Sequence, residues 1–384
     1  MNSDYKNRLL ALFQTNDEAA FRTRLASLER RLHAAEEIYI FGAGQNGQLV
    51  ASRLTEMHFK IAGFVDETPS KQNTAVNEIP VHSLQYLAER HGTVVISSIF
   101  SPYVGFQEIA GRLSSYTNDV MSLFEFLWFE AKDDSVSFYF LNHPTFLHRH
   151  FDDVMWLCDR LVDKDSQEQL FAHIRFRLDL DFGGLPAVQR IFWPSELPAG
   201  PLVYVDCGAY DGDTLVPFMR QHGNQVRLAL PIEPDPHNFL LLTNHIESLD
   251  DADRRKVVRI AAATGEANGK LRFDIGKKQA SSLSEAGELV VDVVALDDVV
   301  AEYCAPDDQV IVKIDVEGAD LATLRGATHL IGQRHARLAI SVYHKPFDLW
   351  ELPQYVAQID QNYRFFLRSN GADGADLMIY ACVP

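Results

Sequence analysis

The sequence predicts an α/β fold with two parallel sheets, a smaller Rossmann-like one near the N-terminus and a larger Rossmann-like one in the C-terminal half. Three observations predict it. Short apolar runs alternate with stretches of helical period on both sides of a mostly helical, aromatic-rich segment, the trace that βαβ units leave in a sequence. A glycine turn follows the first apolar run of each half, GAGQNG in the first and CGAYDGD in the second. The last two apolar runs, YRFFLR and LMIYACV, are joined by a turn too short for a crossover helix, so they must pair antiparallel and close the larger, mostly parallel sheet with a terminal hairpin.

In chain order, Phe21, Leu25, Leu28 and Leu32 recur at helical spacing and predict a helix from about Asp17 to Ala35. Ile38 to Phe41 reads as a strand, Gln48 to Met57 as a helix, and Ile61 to Val65 as a second strand ending in Asp66. A helix at Leu84 to Glu89 and a strand at Thr93 to Ser97 extend this domain, assigned to residues 1–120. Between the first strand and its helix, Gly42, Gly44 and Gly47 satisfy G-x-G-x-x-G, with Asp66 closing the next strand. That context points to a nucleotide, NAD(P) or a nucleotide-sugar, unless the module is purely structural. No Tyr-x-x-x-Lys pair follows, so hydride transfer has little support.

Residues 121–198 read as a helical connector, dense in aromatics such as Phe124, Phe126, Trp128 and Phe129. His143, His148 and His150 cluster there, but Pro144 interrupts their spacing and no carboxylate is fixed beside them. They read as surface or capping residues rather than zinc ligands. From 199 to 384 strands and helices alternate again, broken by a polar hairpin-like insert through Leu271 to Asp274 and Ser281 to Ser284.

Composition limits the partners. Lys plus Arg number 35 against 53 Asp plus Glu, a net charge of −18 that repels nucleic acids and anionic lipid headgroups. The four cysteines lack metal-ligand spacing and read as reduced core residues. No signal peptide or membrane-spanning run is visible, so a cytoplasmic protein is expected, with homo-oligomerisation left open.

The second half carries the densest site pattern. Asp206 stands at the carboxyl end of a buried strand, and Gly208 and Gly212 lie in the turn entering the next helix, where exposed N–H groups favour an anionic group. Glu233 closes the second strand, the place where a carboxylate accepts ribose hydroxyls in nucleotide-binding sheets. Asp235 and Asn238 stand close by in sequence, and Ala262 is a small residue where an adenine ring fits. In VIVKIDVEGAD the period of two puts Lys313, Asp315 and Glu317 on one side, charges that are costly at a strand end unless they serve a site or one another.

The strings VYVDCGAYDGDT, IEPDPHN, SSL, VVALDDVV, VKIDVEGADLATLRGA and YHKPFDLWELP, spread from near Tyr204 to Ala381, together resemble the FkbM family of O-methyltransferases. The resemblance implies S-adenosylmethionine as cofactor and a hydroxyl, on a sugar, a glycan precursor or another small molecule, as acceptor. It implies cofactor contacts from Asp206, Gly208, Gly212, Asp213, Glu233, Asp235, Asn238, Ala262, Ser282 and Asp315. Removal of the acceptor's proton then falls to His344 or Asp315, His344 being favoured for its ordinary imidazole pKa, with Lys345 to orient the acceptor or stabilise the oxyanion. A divalent metal is not expected, the weaker alternative being Mg²⁺ or Mn²⁺ on Asp315, Glu317 and His344. Two other classes compete: an oxidoreductase or bifunctional enzyme centred on Gly42 to Gly47, and a non-catalytic nucleotide-sensing protein.

Overall fold

A computed structural model describes residues 2–130, 138–194, 197–273 and 289–384. The chain divides into two compact units. The first holds 1–158, 167–189 and 369–376, and the second holds 159–166, 190–368 and 377–384.

The first unit opens with α1 (Asn2–Thr15) and α2 (Glu18–Ala34). Asp17 caps α2 by accepting the Ala20 N–H at 2.9 Å, and Phe21, Leu28 and Leu32 are its buried stripe, with Leu25 half-buried at the margin. A six-stranded sheet follows, β1 (Glu37–Phe41), β2 (Ile61–Val65), β3 (Thr74–Val76), β4 (Ile79–His82), β5 (Thr93–Ser97) and β6 (Asp119–Met121), in the order β3-β4-β2-β1-β5-β6. Every pairing is parallel except the edge hairpin of β3 and β4. Helices α3 (Gln45–Glu56) and α4 (Phe106–Leu113) belong with this sheet, whose core includes Tyr39, Phe41, Val65, Val95, Ile109 and Leu113. Leu84–Glu89, expected as a helix, is a 3₁₀ turn.

The separate connector expected over 121–198 does not stand apart. Helices α5 (Leu123–Glu130) and α6 (Pro144–Arg149), most of α7 (Phe151–Arg160) and most of α8 (Lys164–Asp179) fall within the first unit. Aromatics tie part of it together: Phe124, Phe138, Phe140, Phe176 and Phe182 pack ring to ring with centroids 4.9–6.2 Å apart, a cluster that joins α5 to α8. The three histidines do not converge. His143 caps α6 through Thr145, His148 meets the Asn16 carbonyl at 2.9 Å, and His150 pairs with Asp153 at 2.9 Å.

The second unit is built on β7 (Leu202–Cys207), β8 (Val226–Ile232), β12 (Gln309–Ile314), β13 (Arg337–Ser341), β14 (Arg364–Ser369) and β15 (Leu377–Cys382), ordered β14-β15-β13-β12-β7-β8. Strands β8, β7, β12 and β13 run parallel, and β15 returns antiparallel to β13. The strand expected at VVRIAAA survives as bridges from Val257 and Ile260 to Ala229 and Ile232, ahead of β9 (Ala263–Thr264). Strands β9, β10 (Gly269–Phe273) and β11 (Leu289–Val294) form a small sheet of their own, and Ser282, in the insert between β10 and β11, lies outside the described residues. Around the main sheet stand α9 (Leu215–His222), α10 (Pro236–Ile246), α11 (Asp251–Arg254), α12 (Leu296–Tyr303), α13 (Asp320–Arg325), α14 (Thr328–Gly332) and α15 (Asp348–Ile359). Leu202, Tyr204, Phe218, Leu242, Ile311 and Tyr380 are among the core they cover. Among the described residues no helix is long and apolar enough to cross a membrane.

Candidate active site

From β7 the chain moves outward to β8 on one side, while β12 lies on the other. Between the carboxyl ends of β7 and β12 the order reverses, the place where open α/β sheets form a ligand crevice. The backbone there is tightly fixed. Gly208 and Ala209 donate to the Ile232 carbonyl at 3.0 and 3.1 Å, and the Asp315 N–H donates to the Cys207 carbonyl at 3.1 Å. Gly208 has φ +73°, and a Cβ on it would overlap the Asp315 carbonyl oxygen, so only glycine lets the two strand ends approach this closely. Gly212, at φ +90°, and Tyr210, at φ +47°, complete the curl.

Asp206 and Glu233 stand on either side of this turn. Asp206 is fully buried, and Lys313 Nζ lies 3.2 Å from its Oδ1 as an ion pair off the hydrogen-bonding line, so neither carboxylate oxygen accepts a hydrogen bond among the described residues. Burial pushes its pKa up to about 6 even though Lys313 pulls the other way. Glu233 is also buried. Its Oε2 accepts the Tyr210 N–H at 2.9 Å and its Oε1 the Asp235 N–H at 2.8 Å, while the Asn238 side chain also donates to it. Burial outweighs these donors and raises its carboxyl to about 7. With about four acceptor sites against these three donors, the carboxylate keeps at least one for a ligand. Asp213 is exposed, yet desolvation raises its pKa against the pull of Lys313.

The sequence expects cofactor contacts from both Asp235 and Ala262. Asp235 caps α10, its Oδ1 accepting from His237 and Asn238 N–H at 2.8 and 3.1 Å, so it fixes the helix start behind Glu233. Ala262 is buried just ahead of β9.

On the β12 side the strand ends at Ile314, and Asp315 and Glu317 stand in the loop beyond it rather than along the strand. Lys313 Nζ lies 3.6 Å from Asp315 Oδ2 and donates to the Gly208 carbonyl at 3.2 Å. Burial disfavours this ammonium, but Asp206, Asp315 and Asp213 more than compensate and hold it charged. His344, just beyond β13, is almost fully buried and ringed by acids. Its Nδ1 meets Asp320 Oδ2 at 3.0 Å, and its Nε2 faces Asp315 Oδ1 at 3.2 Å and Glu317 Oε2 at 3.8 Å. Neither Nε2 nor Asp315 Oδ1 has a hydrogen bond of good geometry.

This ring reverses the reason for favouring His344 as a base. Burial alone would lower its pKa, but Asp320 and Asp315 raise it well above the ordinary imidazole range, so the protonated ring is the stable form. Asp315 shifts the opposite way, since Lys313 and His344 outweigh its burial and hold it well below the usual carboxylate range. Lys345 is also engaged, its ammonium donating to the Gly318 carbonyl.

Sequence reasoning missed Asp320 and Asp348. Asp320 is buried and accepts the Val316 and Gly318 N–H groups at 3.3 and 3.1 Å besides His344. Asp348 accepts the Lys345 N–H at 2.7 Å, and burial together with Asp320 raises its carboxyl to about 7. Asp320, His344 and Asp348 could bring one ligand atom each within 4.8 Å of the others. The only sequence signal for either acid is an Asp at the first residue of a helix.

The first unit's glycine turn is formed as expected. Gly42 has φ +99°, and a Cβ on Gly47 would overlap the Gly42 carbonyl oxygen, whereas one on Gly44 would meet nothing within 4 Å. Asp66, however, faces its own backbone. Its Oδ2 accepts the Ala43 N–H at 2.8 Å and Lys71 Nζ at 3.0 Å, and its Oδ1 accepts the Thr68 N–H at 2.8 Å.

The sequence profile described as the methyltransferase FkbM domain matches residues 206–371. Among curated proteins, none matches the chain. Among solved structures, methyltransferase FkbM from Methylobacillus flagellatus KT is similar at a TM-score of 0.70 and 20% identity, over 97% of this chain and 100% of that one, which establishes a shared fold. The methyltransferase domain of bacterial CtHen1-CN is similar only at a TM-score of 0.26 and 10% identity, over 47% of this chain and 89% of that one. Residues 206–371 of the chain accordingly match the methyltransferase FkbM domain, a family whose name implies methyl transfer.

Proposed function

We propose that the second unit is an S-adenosylmethionine-dependent O-methyltransferase acting on a hydroxyl of a sugar, a glycan precursor or a related small molecule. The single observation that supports the donor is Asp206: a fully buried carboxylate with no hydrogen bond among the described residues, beside a glycine turn, has the chemistry to receive a cationic ligand. The other residues fit the same donor. Glu233 and Asn238 suit the ribose hydroxyls, Ala262 the adenine face, and the N–H groups of the Gly208–Gly212 turn the methionine carboxylate.

When bound, the donor supplies an electrophilic methyl group on a positively charged sulfur. The chain contributes alignment and proton removal. Alignment of acceptor, methyl and sulfur supplies on the order of 7 kcal/mol or more in favourable cases. Proton removal falls to the Asp315–His344 pair. As an imidazolium facing a carboxylate, this pair holds its proton at His344, and Nε2 accepts another only after that proton has left. The sugar class of acceptor rests on the family resemblance.

The experiment is a calorimetric titration of S-adenosylmethionine and S-adenosylhomocysteine into the full chain and Glu233→Gln, followed by mass-spectrometric detection of O-methylated products from a panel of hydroxylated sugars. Binding by the full chain, weakened in the variant, is expected. If neither ligand binds the full chain, the reading is wrong.

A further inference from the structure

We propose that Asp320 is the positioning residue of the acceptor side, a carboxylate that aims His344 at Asp315 and sets how firmly the ring holds its proton. For the acceptor's proton the inference deepens the proposed function and rests on it. The clamp itself depends only on this chain's side chains.

Asp320 makes the directional contact. The Nδ1–H of the charged ring donates to Asp320 Oδ2 at 3.0 Å, with both side chains almost fully buried. On the opposite edge, Nε2 and Asp315 Oδ1 lie 3.2 Å apart as an ion pair outside hydrogen-bonding geometry. Among the described residues, the Asp320 bond is thus the hydrogen bond that fixes the ring's rotation, and Asp315 meets an edge already aimed.

Asp320 is held by the same loop that carries Asp315. Its Oδ1 accepts the Val316 N–H at 3.3 Å and its Oδ2 the Gly318 N–H at 3.1 Å, which closes residues 315–320 into a curl. Glu317 at φ +50° and Gly318 at φ +90° supply the left-handed steps of that curl. A second tie runs beside the first, the Lys345 ammonium donating to the Gly318 carbonyl. The loop after β12 and the segment beyond β13 are therefore joined at two neighbouring points, and loss of Asp320 frees Asp315 and His344 to drift apart.

The charges around the ring decide what the clamp does chemically. Asp315 and Glu317 face it from the β12 side, with Lys313 behind Asp315, and Asp320 faces it from α13. Asp348 stands near it at the start of α15, Lys345 follows it in the chain, and the Tyr343 ring lies against it with centroids 4.4 Å apart. Burial works against the charged ring, and Asp320 is foremost among the groups that outweigh it, ahead of Asp315. An opposite charge this close moves a titrating group by about 1–3 units. In the transfer the acceptor's O–H bond breaks with its electron pair left on oxygen, and the proton forms the Nε2–H bond of a ring that has lost its own. Asp320 stabilises the imidazolium so formed, and it raises the pH at which the ring first becomes free to accept.

The test reads the ring directly, by nuclear magnetic resonance of the full chain isotopically labelled at its histidine ring nitrogens, with no donor or acceptor added. The His344 signals are those lost in His344→Gln. An imidazolium near about pH 7, with its Nδ1 proton protected from exchange, is expected in the wild type. Asp320→Asn keeps a carbonyl oxygen for the ring but removes the charge, so the ring's midpoint should fall by about 1–3 units. Asp348→Asn, where the lost carboxylate is bonded to the Lys345 N–H rather than to the ring, should move it less. With S-adenosylmethionine and the panel of hydroxylated sugars, the acid limb of the kcat profile in Asp320→Asn should shift down by the same amount, and S-adenosylhomocysteine affinity should be unchanged. A neutral wild-type ring near about pH 7, a midpoint that Asp320→Asn leaves in place in the spectrum or in the kcat profile, or a larger shift in Asp348→Asn would each overturn the proposal. The wild-type spectrum decides even where a variant fails to fold. Absence of turnover with the expected ring titration would count against the methyltransferase reading and leave the clamp standing.

Discussion

Glu233 makes cofactor binding depend on pH in a direction opposite to that of fold stability. Its carboxyl is raised to about 7 by burial, while hydroxyl donors bind best to the ionised form. If only that form receives the ribose, the apparent dissociation constant scales as one plus ten to the power of pKa minus pH. Binding of S-adenosylhomocysteine should therefore be about tenfold weaker near pH 6 than near pH 8. Asp206, raised to about 6, adds roughly a further factor of two at the acid end. For stability the sign is reversed. A carboxyl whose folded-state pKa lies above its unfolded value contributes stability below about pH 4.5 and loses it as pH rises through about 7, a loss of about 3 kcal/mol for this shift. Calorimetric titration at several pH values, on the full chain and on Glu233→Gln, is the assay. The variant should bind more weakly, with most of the pH slope gone. A wild-type dissociation constant that is flat between about pH 6 and about pH 8, or an identical slope in the variant, refutes the reasoning.

Two glycine substitutions test the turns. Gly208→Ala combines a positive φ with overlap on the Asp315 carbonyl, so it should cost about 3 kcal/mol or more by chemical denaturation and abolish methyl transfer by displacing Asp315. In the first unit Gly47→Ala should cost about 1–3 kcal/mol through overlap on the Gly42 carbonyl, whereas Gly44→Ala, whose Cβ meets open space, should leave the melting temperature within a degree or two.

Both sheets were legible because apolar period and glycine turns are local signals: β1, β2, β7, β8 and β12 fall where the runs predict them. Asp206 and Glu233 were legible for the same reason, each closing a strand one βαβ step from the other. Asp320 and Asp348 were not. Each sits at a helix start, a position where an Asp serves the helix itself, and only the fold brings both to a histidine that lies 24 residues from Asp320. The reversal at His344 has the same origin, since a side chain's own type sets its ordinary pKa while its neighbours' charges set the shift. Asp235 shows the converse. Its place beside Glu233 suggests a ligand contact, but Pro236 opens a helix there, and an acid just before such a proline is well placed to cap it. The connector was misjudged because helical period says nothing about which sheet a helix joins. The aromatic cluster that joins α5 to α8 has no sequence period at all.

The acids that close β2 and β8 occupy equivalent places in their sheets, and they differ in how far their charge is compensated. Both accept an N–H from the glycine turn beside them, Ala43 for Asp66 and Tyr210 for Glu233. Asp66 has in addition the Lys71 ammonium at 3.0 Å, and its backbone donors and Lys71 together outweigh burial and hold its pKa below the usual carboxylate range. Glu233 has no such cation among its described partners, and burial wins. A carboxylate whose charge is already compensated gains little from two further hydroxyl donors. One whose charge is under-compensated gains most from them, because the ligand supplies the hydrogen bonds that the protein leaves out. The G-x-G-x-x-G turn of the first unit thus stands beside a compensated acid, Asp66, and the glycine turn of the second beside an under-compensated one, Glu233.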